Sequence, residues 1–322
     1  MARRRAFVIS HSAPGHVLVI GSAGLDIVGR AVESLRPGSS TPAVLRSSLG
    51  GVGRNVAENL ARLGTEVVFV TAVGDDDEGR RLLDQTAAVG VNTQHCLRVP
   101  GEATGAYLAI LDERGRLHLA LDDMHVVESL TPEFIRECKD LFRGAVAAFL
   151  DANLPPRTLA AAVALARRLD VPVAADPTSL GLAPRLTPLL ADIWLLTCNE
   201  AEVLALCPEF APGETSAAER AVEFPRRLIG KGVGIAIVAM AEAGVGYATA
   251  EISGHIPALQ VDVIDPTGAS DALSAAVIFG LLNEIPLDES VRLGVSASAV
   301  TLRTRGSVAP SLSLELLYEQ LR

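Results

Sequence analysis

Asp265 and Asp271 bracket the heptapeptide DPTGASD, which runs directly into the apolar segment ALSAAVIFGLL. A carboxylate at the threshold of so apolar a segment has two readings. As structure, it is a first-turn carboxylate favoured by the helix dipole. As chemistry, it is a general base beside a helix N-terminus whose unpaired backbone N–H groups attract phosphate. Two further sites invite the same pair of readings. Asp26 follows the run HVLVIG, as a turn former or a ligand anchor. The tetrapeptide NEAE, Asn199 to Glu202, follows DIWLLT, where Asn199 can cap a helix and Glu202 can complete a capping box. Each structural reading is ordinary by itself. Three such groups just past predicted strands or at helix starts form the pattern of a ligand crevice, because ligands of open α/β sheets lie outside the carboxyl ends of the strands. In SSLGGVGRNVAENLARLG, Gly50, Gly51 and Gly53 precede a helix, where missing side chains let a ligand approach the backbone.

The elements that must hold these residues follow from periodicity. HVLVIG (16–21) and EVVFVTAVG (66–74) read as buried strands, and NVAENLARLG (55–64) reads as a helix closed by Gly64. A helix is expected over 76–90. Helices over 132–142, 156–169, 199–206 and 215–230 then alternate with strands over 145–151, 171–176, 192–197 and 234–240. Two further helices fill 267–283 and 287–302. Such alternation predicts an α/β fold, a doubly wound, mostly parallel sheet flanked by helices. Segments 26–48 and 103–121 break the rhythm. The first carries turn residues and short exposed strands, and the second alternates as a hairpin with DERG at its turn. They are expected to form a small β lid on a single domain spanning 16–322, after a loose N-terminus of fifteen residues.

Composition excludes several functions. A net charge of −10 argues against nucleic acid or an anionic membrane as a general partner. No run approaches the 18 apolar residues of a spanning helix, and the basic start MARRRAFVI has too short an apolar stretch for a signal peptide. The cytoplasm is therefore the expected compartment. Cys96, Cys138, Cys198 and Cys207 show neither CxxC spacing nor companion histidines, against structural zinc. There is no GxGxxG fingerprint, no GxxxxGK[ST] loop and no GxSxG elbow for Ser270.

The two longest motifs, GGVGRNVAENLARLG and DPTGASDALSAAVIFGLL, with NEAE between them, resemble the paired signatures of the ribokinase-like (PfkB) carbohydrate kinases. The resemblance runs from about Val17 to Pro310. LDDMHVVESLTPEFI (121–135) and DANLPPRTL (151–159) are similar to the pseudouridine kinase branch. What the resemblance implies is ATP-dependent phosphorylation of a hydroxyl, in that branch the 5′-hydroxyl of a nucleoside. It implies that Asp271 is the catalytic base and that the N–H groups of Gly268, Ala269 and Ser270 bind the transferring phosphoryl group. Asp26, Gly50, Gly51 and Asn55 would hold the acceptor, and Asn199, Gly244, Thr267 and Gly268 the nucleotide. Glu202 and Asn199 would organise Mg²⁺ through waters. The carbonyls of Asp265 and Thr267 would line a monovalent-cation loop for K⁺, and the lid would carry a homodimer. The alternatives are a kinase for a ribose-, fructose- or adenosine-like acceptor and, from another class, a non-catalytic sensor of nucleotide or sugar. Ser270, which stands where the signature has glycine, is the best support for the sensor; with Pro266, which stiffens the loop, and Ala241, which replaces a common glycine, it also leaves open slower turnover, a shifted nucleotide preference or a drifted substrate. Retention of Asp271, Asn199 and Glu202 favours catalysis.

Overall fold

The computed structural model describes residues 15–210 and 216–322, so residues 1–14 of the expected loose N-terminus lie outside it. Its strands are β1 (His16–Ile20), β2 (Gly24–Ala31), β3 (Ala43–Gly50), β4 (Val67–Val70), β5 (Ala72–Gly74), β6 (Leu97–Val99), β7 (Gly105–Leu111), β8 (Leu117–Asp123), β9 (Ala145–Asp151), β10 (Val173–Asp176), β11 (Leu195–Asn199), β12 (Ile235–Ala239), β13 (Val245–Ala248) and β14 (Ser253–Ile256).

The burial pattern of β1 shows why the main sheet is covered twice. Val17 and Val19 enter one apolar cluster with Phe69, Phe149 and Ala276. Leu18 and Ile20 enter a second cluster with Phe142, Leu150 and Leu159. Successive side chains of a strand point to opposite faces, so an uninterrupted apolar run needs helices on both. The resulting eight-stranded sheet has the order β14-β13-β12-β11-β10-β9-β1-β4. It is parallel from β12 to β4, and β13 and β14 add an antiparallel edge. Helix Ala269–Leu282 is buried continuously from Asp271 to Gly280 and packs against helices Val52–Arg62 and Leu287–Leu302. A helix apolar on every side belongs inside a layer of other helices.

The two segments that break the alternation form a second sheet, β3-β2-β7-β8. Segment 26–48 runs from one eight-residue strand into a second rather than through short ones, because β2 pairs along its length with both β3 and β7, while β3 is exposed over its first five residues as expected. The expected strand 66–74 is two strands in different sheets, separated at the buried Thr71. The expected helix 132–142 breaks at Cys138. The hairpin β13–β14 escapes notice in the sequence because its four-residue strands carry glycines that weaken any periodic signal. Among the described residues no helix is long and apolar enough to cross a membrane.

Candidate active site

Two helix N-termini converge beside the carboxyl end of β1, and they differ in one respect. The first belongs to helix Val52–Arg62, whose N-cap Gly51 offers no side chain. Its early N–H groups are satisfied from elsewhere in the chain: Val52 N–H donates to Ser22 Oγ at 3.1 Å, and Gly53 N–H donates to Asp151 Oδ2 at 2.8 Å. Asp151 also accepts from the Ser22 N–H and hydroxyl, so this terminus is closed by a wholly buried carboxylate. The second belongs to helix Ala269–Leu282. Its N-cap is Gly268, in the left-handed region at φ 77°, and no side chain caps it. The N–H groups of its first turn therefore have neither an intrahelical nor a side-chain capping acceptor, the arrangement in which helix N-termini receive anions.

Asp271 is the third residue of that helix, not its cap. The turn at Gly268 starts the helix, so Asp271 lies in its first turn, as the structural reading expects. Its Oδ2 accepts from Asn55 Nδ2 at 2.7 Å, a bond that joins residues 216 positions apart. Burial pushes the Asp271 carboxyl up to about 7 against the pull of Asn55, with further upward pressure from Asp26, Asp151 and Glu202. Asn55 is itself fixed, with Oδ1 accepting from Ser307 Oγ at 3.0 Å and from Arg54 Nη1 at 3.1 Å. A buried carboxylate poised near neutrality and aimed by a held amide suits proton abstraction.

Asp26 lies on β2, where it pairs with Ser48 across to β3 and with Tyr107 across to β7. Burial raises it to about 6, Arg54 opposes that rise and Asp265 adds to it. Gly50 has a definite reason: a Cβ there would overlap the Asp26 carboxylate. Gly51 has another, since φ is 94° and a Cβ would meet Ala23 Cα at 2.5 Å. The glycines thus make room for the protein's own backbone and carboxylate as much as for a ligand. At Gly268, a Cβ would collide with the Ser307 carbonyl. Ser270 is exposed, so its extra atoms meet no buried neighbour.

Asn199 and Glu202 form the expected capping box, with Glu202 N–H donating to Asn199 Oδ1 at 2.9 Å and Asn199 N–H donating to Glu202 Oε2 at 2.8 Å. The structural reading is therefore correct, yet it does not use up Glu202. Its carboxyl is buried and raised, and its charge acts on Asp176 and Asp271. Asp176, at the end of β10, is driven well above the usual carboxylate range by burial and by Glu202. Asp151 and Asp176 were not picked out as site residues, although both are acidic residues at the carboxyl ends of strands, the criterion that selects Asp26. The loop 265–268 is tied down by Asp265, whose Oδ1 accepts from Thr267 N–H at 3.0 Å and Oδ2 from Gly306 N–H at 3.2 Å. Gly244 occupies the turn between β12 and β13 at φ 96°, against the backbone of Ile256, Pro257 and Ala258 rather than any residue above.

The comparisons with known proteins agree with one another. The description of a pfkB family carbohydrate kinase matches residues 15–313. Pseudouridine kinase of Escherichia coli (strain K12) is 33% identical over 300 residues, covering 93% of this chain and 94% of that protein. Guanosine-inosine kinase of Exiguobacterium acetylicum is 29% identical over 301 residues, covering 92% of this chain and 97% of that one. Among solved structures, Arabidopsis thaliana ribokinase complexed with ribose and ATP superimposes with a TM-score of 0.84 at 22% identity, over 96% of this chain and 99% of that one, a likeness of fold.

Proposed function

The chain belongs to the pfkB family of carbohydrate kinases, enzymes that transfer a phosphoryl group to an alcohol hydroxyl, and we propose that its acceptor is the 5′-hydroxyl of a nucleoside, pseudouridine, with ATP as donor. The observation that carries the catalytic part is the buried Asn55–Asp271 bond beside an uncapped helix N-terminus. The nucleoside assignment is supported by the similarity to pseudouridine kinase over nearly the whole chain.

Asp271 takes the proton of the acceptor hydroxyl as its oxygen attacks the γ-phosphorus. The bond from that phosphorus to the bridging oxygen breaks, and ADP leaves. The N–H groups of Gly268, Ala269 and Ser270 receive the charge on the transferring group, at the end of the helix where the dipole is positive. Little else is required of the protein, because phosphoryl transfer depends on positioning and electrostatics. Asp26 accepts from ribose hydroxyls, with Gly50 and Gly51 keeping the backbone close, and Thr267 and Gly244 border the nucleotide. The small sheet β3-β2-β7-β8 serves as the lid and as the dimer surface, and the enzyme works in the cytoplasm.

Asp176, Glu202 and Asp271 are three buried carboxyls within electrostatic reach of one another, each raised first by its burial, with no cationic side chain offsetting that rise among the described residues. No three His, Cys, Asp or Glu side chains among the described residues are grouped to ligate a metal directly, so these carboxyls suit a Mg²⁺ that keeps its waters. Glu202 and Asn199 would hold it through waters, and when bound it neutralises phosphate charge. The carbonyls of Asp265 and Thr267 would take a monovalent cation.

The test is ADP release with Mg²⁺ and K⁺ across pseudouridine, uridine, inosine, adenosine, ribose and fructose. Selective turnover of pseudouridine is expected. Turnover of another compound in preference would overturn the acceptor and keep the kinase; binding without turnover would favour the sensor.

A further inference from the structure

Behind helix Val52–Arg62, on the side of Arg54 rather than of Asp271, lies a cavity of about 440 Å³. Four arginines line it, Arg54, Arg62, Arg81 and Arg305, against a single acidic residue, Glu58. This reverses the sign of a chain whose net charge is −10. Glu58 is already used on both oxygens, Oε2 by Arg54 and Oε1 by Arg62, whose Nη2 approaches to 2.7 Å. Among the described residues Arg81 pairs only with Glu78, at 3.1 Å. Arg305 is exposed and has no ion pair among the described residues.

Arg54 supplies an independent observation. It is only 6% exposed, and its Nε is buried without a hydrogen-bond partner. Its two Nη atoms are taken by Leu49 O, Asn55 Oδ1 and Glu58. Buried donors of this kind are almost always satisfied, so an orphan in a cavity wall marks a place where donors exceed acceptors. The guanidinium fork matches the tetrahedral oxygens of phosphate better than any other anion-binding side chain does. The cavity is also many times larger than one water's share of liquid, about 30 Å³. Ser48 and Gln85 on its wall offer neutral polar groups for the remainder of a ligand.

We propose that this cavity is a second anion site, distinct from the Gly268 helix terminus, and that it takes a phosphate group, free or carried on a small metabolite. Nothing in this assignment depends on turnover. It is, however, joined to the candidate active site through Arg54, which donates to the same Asn55 that holds Asp271.

Isothermal titration of the whole chain at low ionic strength, without ATP or acceptor, tests it, with inorganic phosphate and ribose 5-phosphate as probes. Three proteins are compared: wild type, Asp271→Asn, and the double variant Arg81→Ala/Arg305→Ala, whose side chains are exposed and outside the catalytic machinery. Wild type and Asp271→Asn are expected to bind alike. The double variant should bind about tenfold more weakly or worse, the loss of two charge-assisted contacts. Tighter binding of ribose 5-phosphate would identify an ester as the ligand, and equal binding free phosphate. Wild-type affinity in the double variant, or no binding of either probe to wild type, would overturn the site. If the double variant is misfolded by circular dichroism, Arg81→Ala and Arg305→Ala singly must each weaken binding, and wild-type affinity in both overturns it equally.

Discussion

Replacing Asp271 by Asn should abolish phosphoryl transfer and at the same time make the ligand-free protein more stable, by an amount that grows with pH. The Asp271 carboxyl rises from an ordinary 3.8 to about 7 because folding strips it of water among other carboxyls. The folded state therefore binds the proton more tightly than the unfolded chain does. Between those two values the folded state holds more protons, so stability contributed by this group falls as pH rises, and the whole penalty is present only above pH 7. A shift of about three units at about 1.36 kcal/mol each amounts to about 4 kcal/mol at pH 8. At pH 5 about 2 kcal/mol remains by the same relation. Asparagine keeps an oxygen to accept from Asn55 Nδ2 and carries no charge, so it removes the penalty and preserves the bond. Urea titrations of wild type and variant at pH 5, 6, 7 and 8 should show a gain that increases across the series. Transfer should fall by about 100-fold or more, the scale of a lost general base. A gain independent of pH would show that Asp271 is not a strained carboxylate, and a variant retaining most of its activity would refute its role as base.

Two smaller perturbations probe the loops. Gly268→Ala combines a left-handed φ with a collision against the Ser307 carbonyl; transfer should fall by about 100-fold, as for loss of an oxyanion donor, with acceptor binding measured by calorimetry unchanged. Ala241 is a non-glycine residue at φ 47°, where the left-handed conformation costs roughly 1–2 kcal/mol and glycine's extra chain entropy returns about half of that; Ala241→Gly should therefore raise stability by about 0.5–1 kcal/mol in urea titration, and a loss of stability would show that the turn is not strained.

The local features of this chain were legible before its fold. Helix 287–302 was bounded correctly, and the parallel alternation was plain, because apolar periodicity and glycine stops are properties of short segments. The motif around Asp271 was legible for the same reason, down to the glycine that starts the helix. The hairpin β13–β14 and the full length of β2 were not, since their stability comes from pairing with distant strands rather than from their own pattern.

What the sequence by itself determined is the set of reactive groups and the elements that carry them. Only the tertiary structure decided their states. It closed one helix terminus with Asp151 and left the other open. It set Asn55 against Asp271 across 216 positions, buried that carboxyl so that it rises toward neutrality, and crowded Asp26, Asp151 and Glu202 near enough to raise it further. Spacing along a chain fixes which side chains share a helix face or a turn. Desolvation and the field of other charges depend on everything packed around a group, and that is known only once the chain has folded.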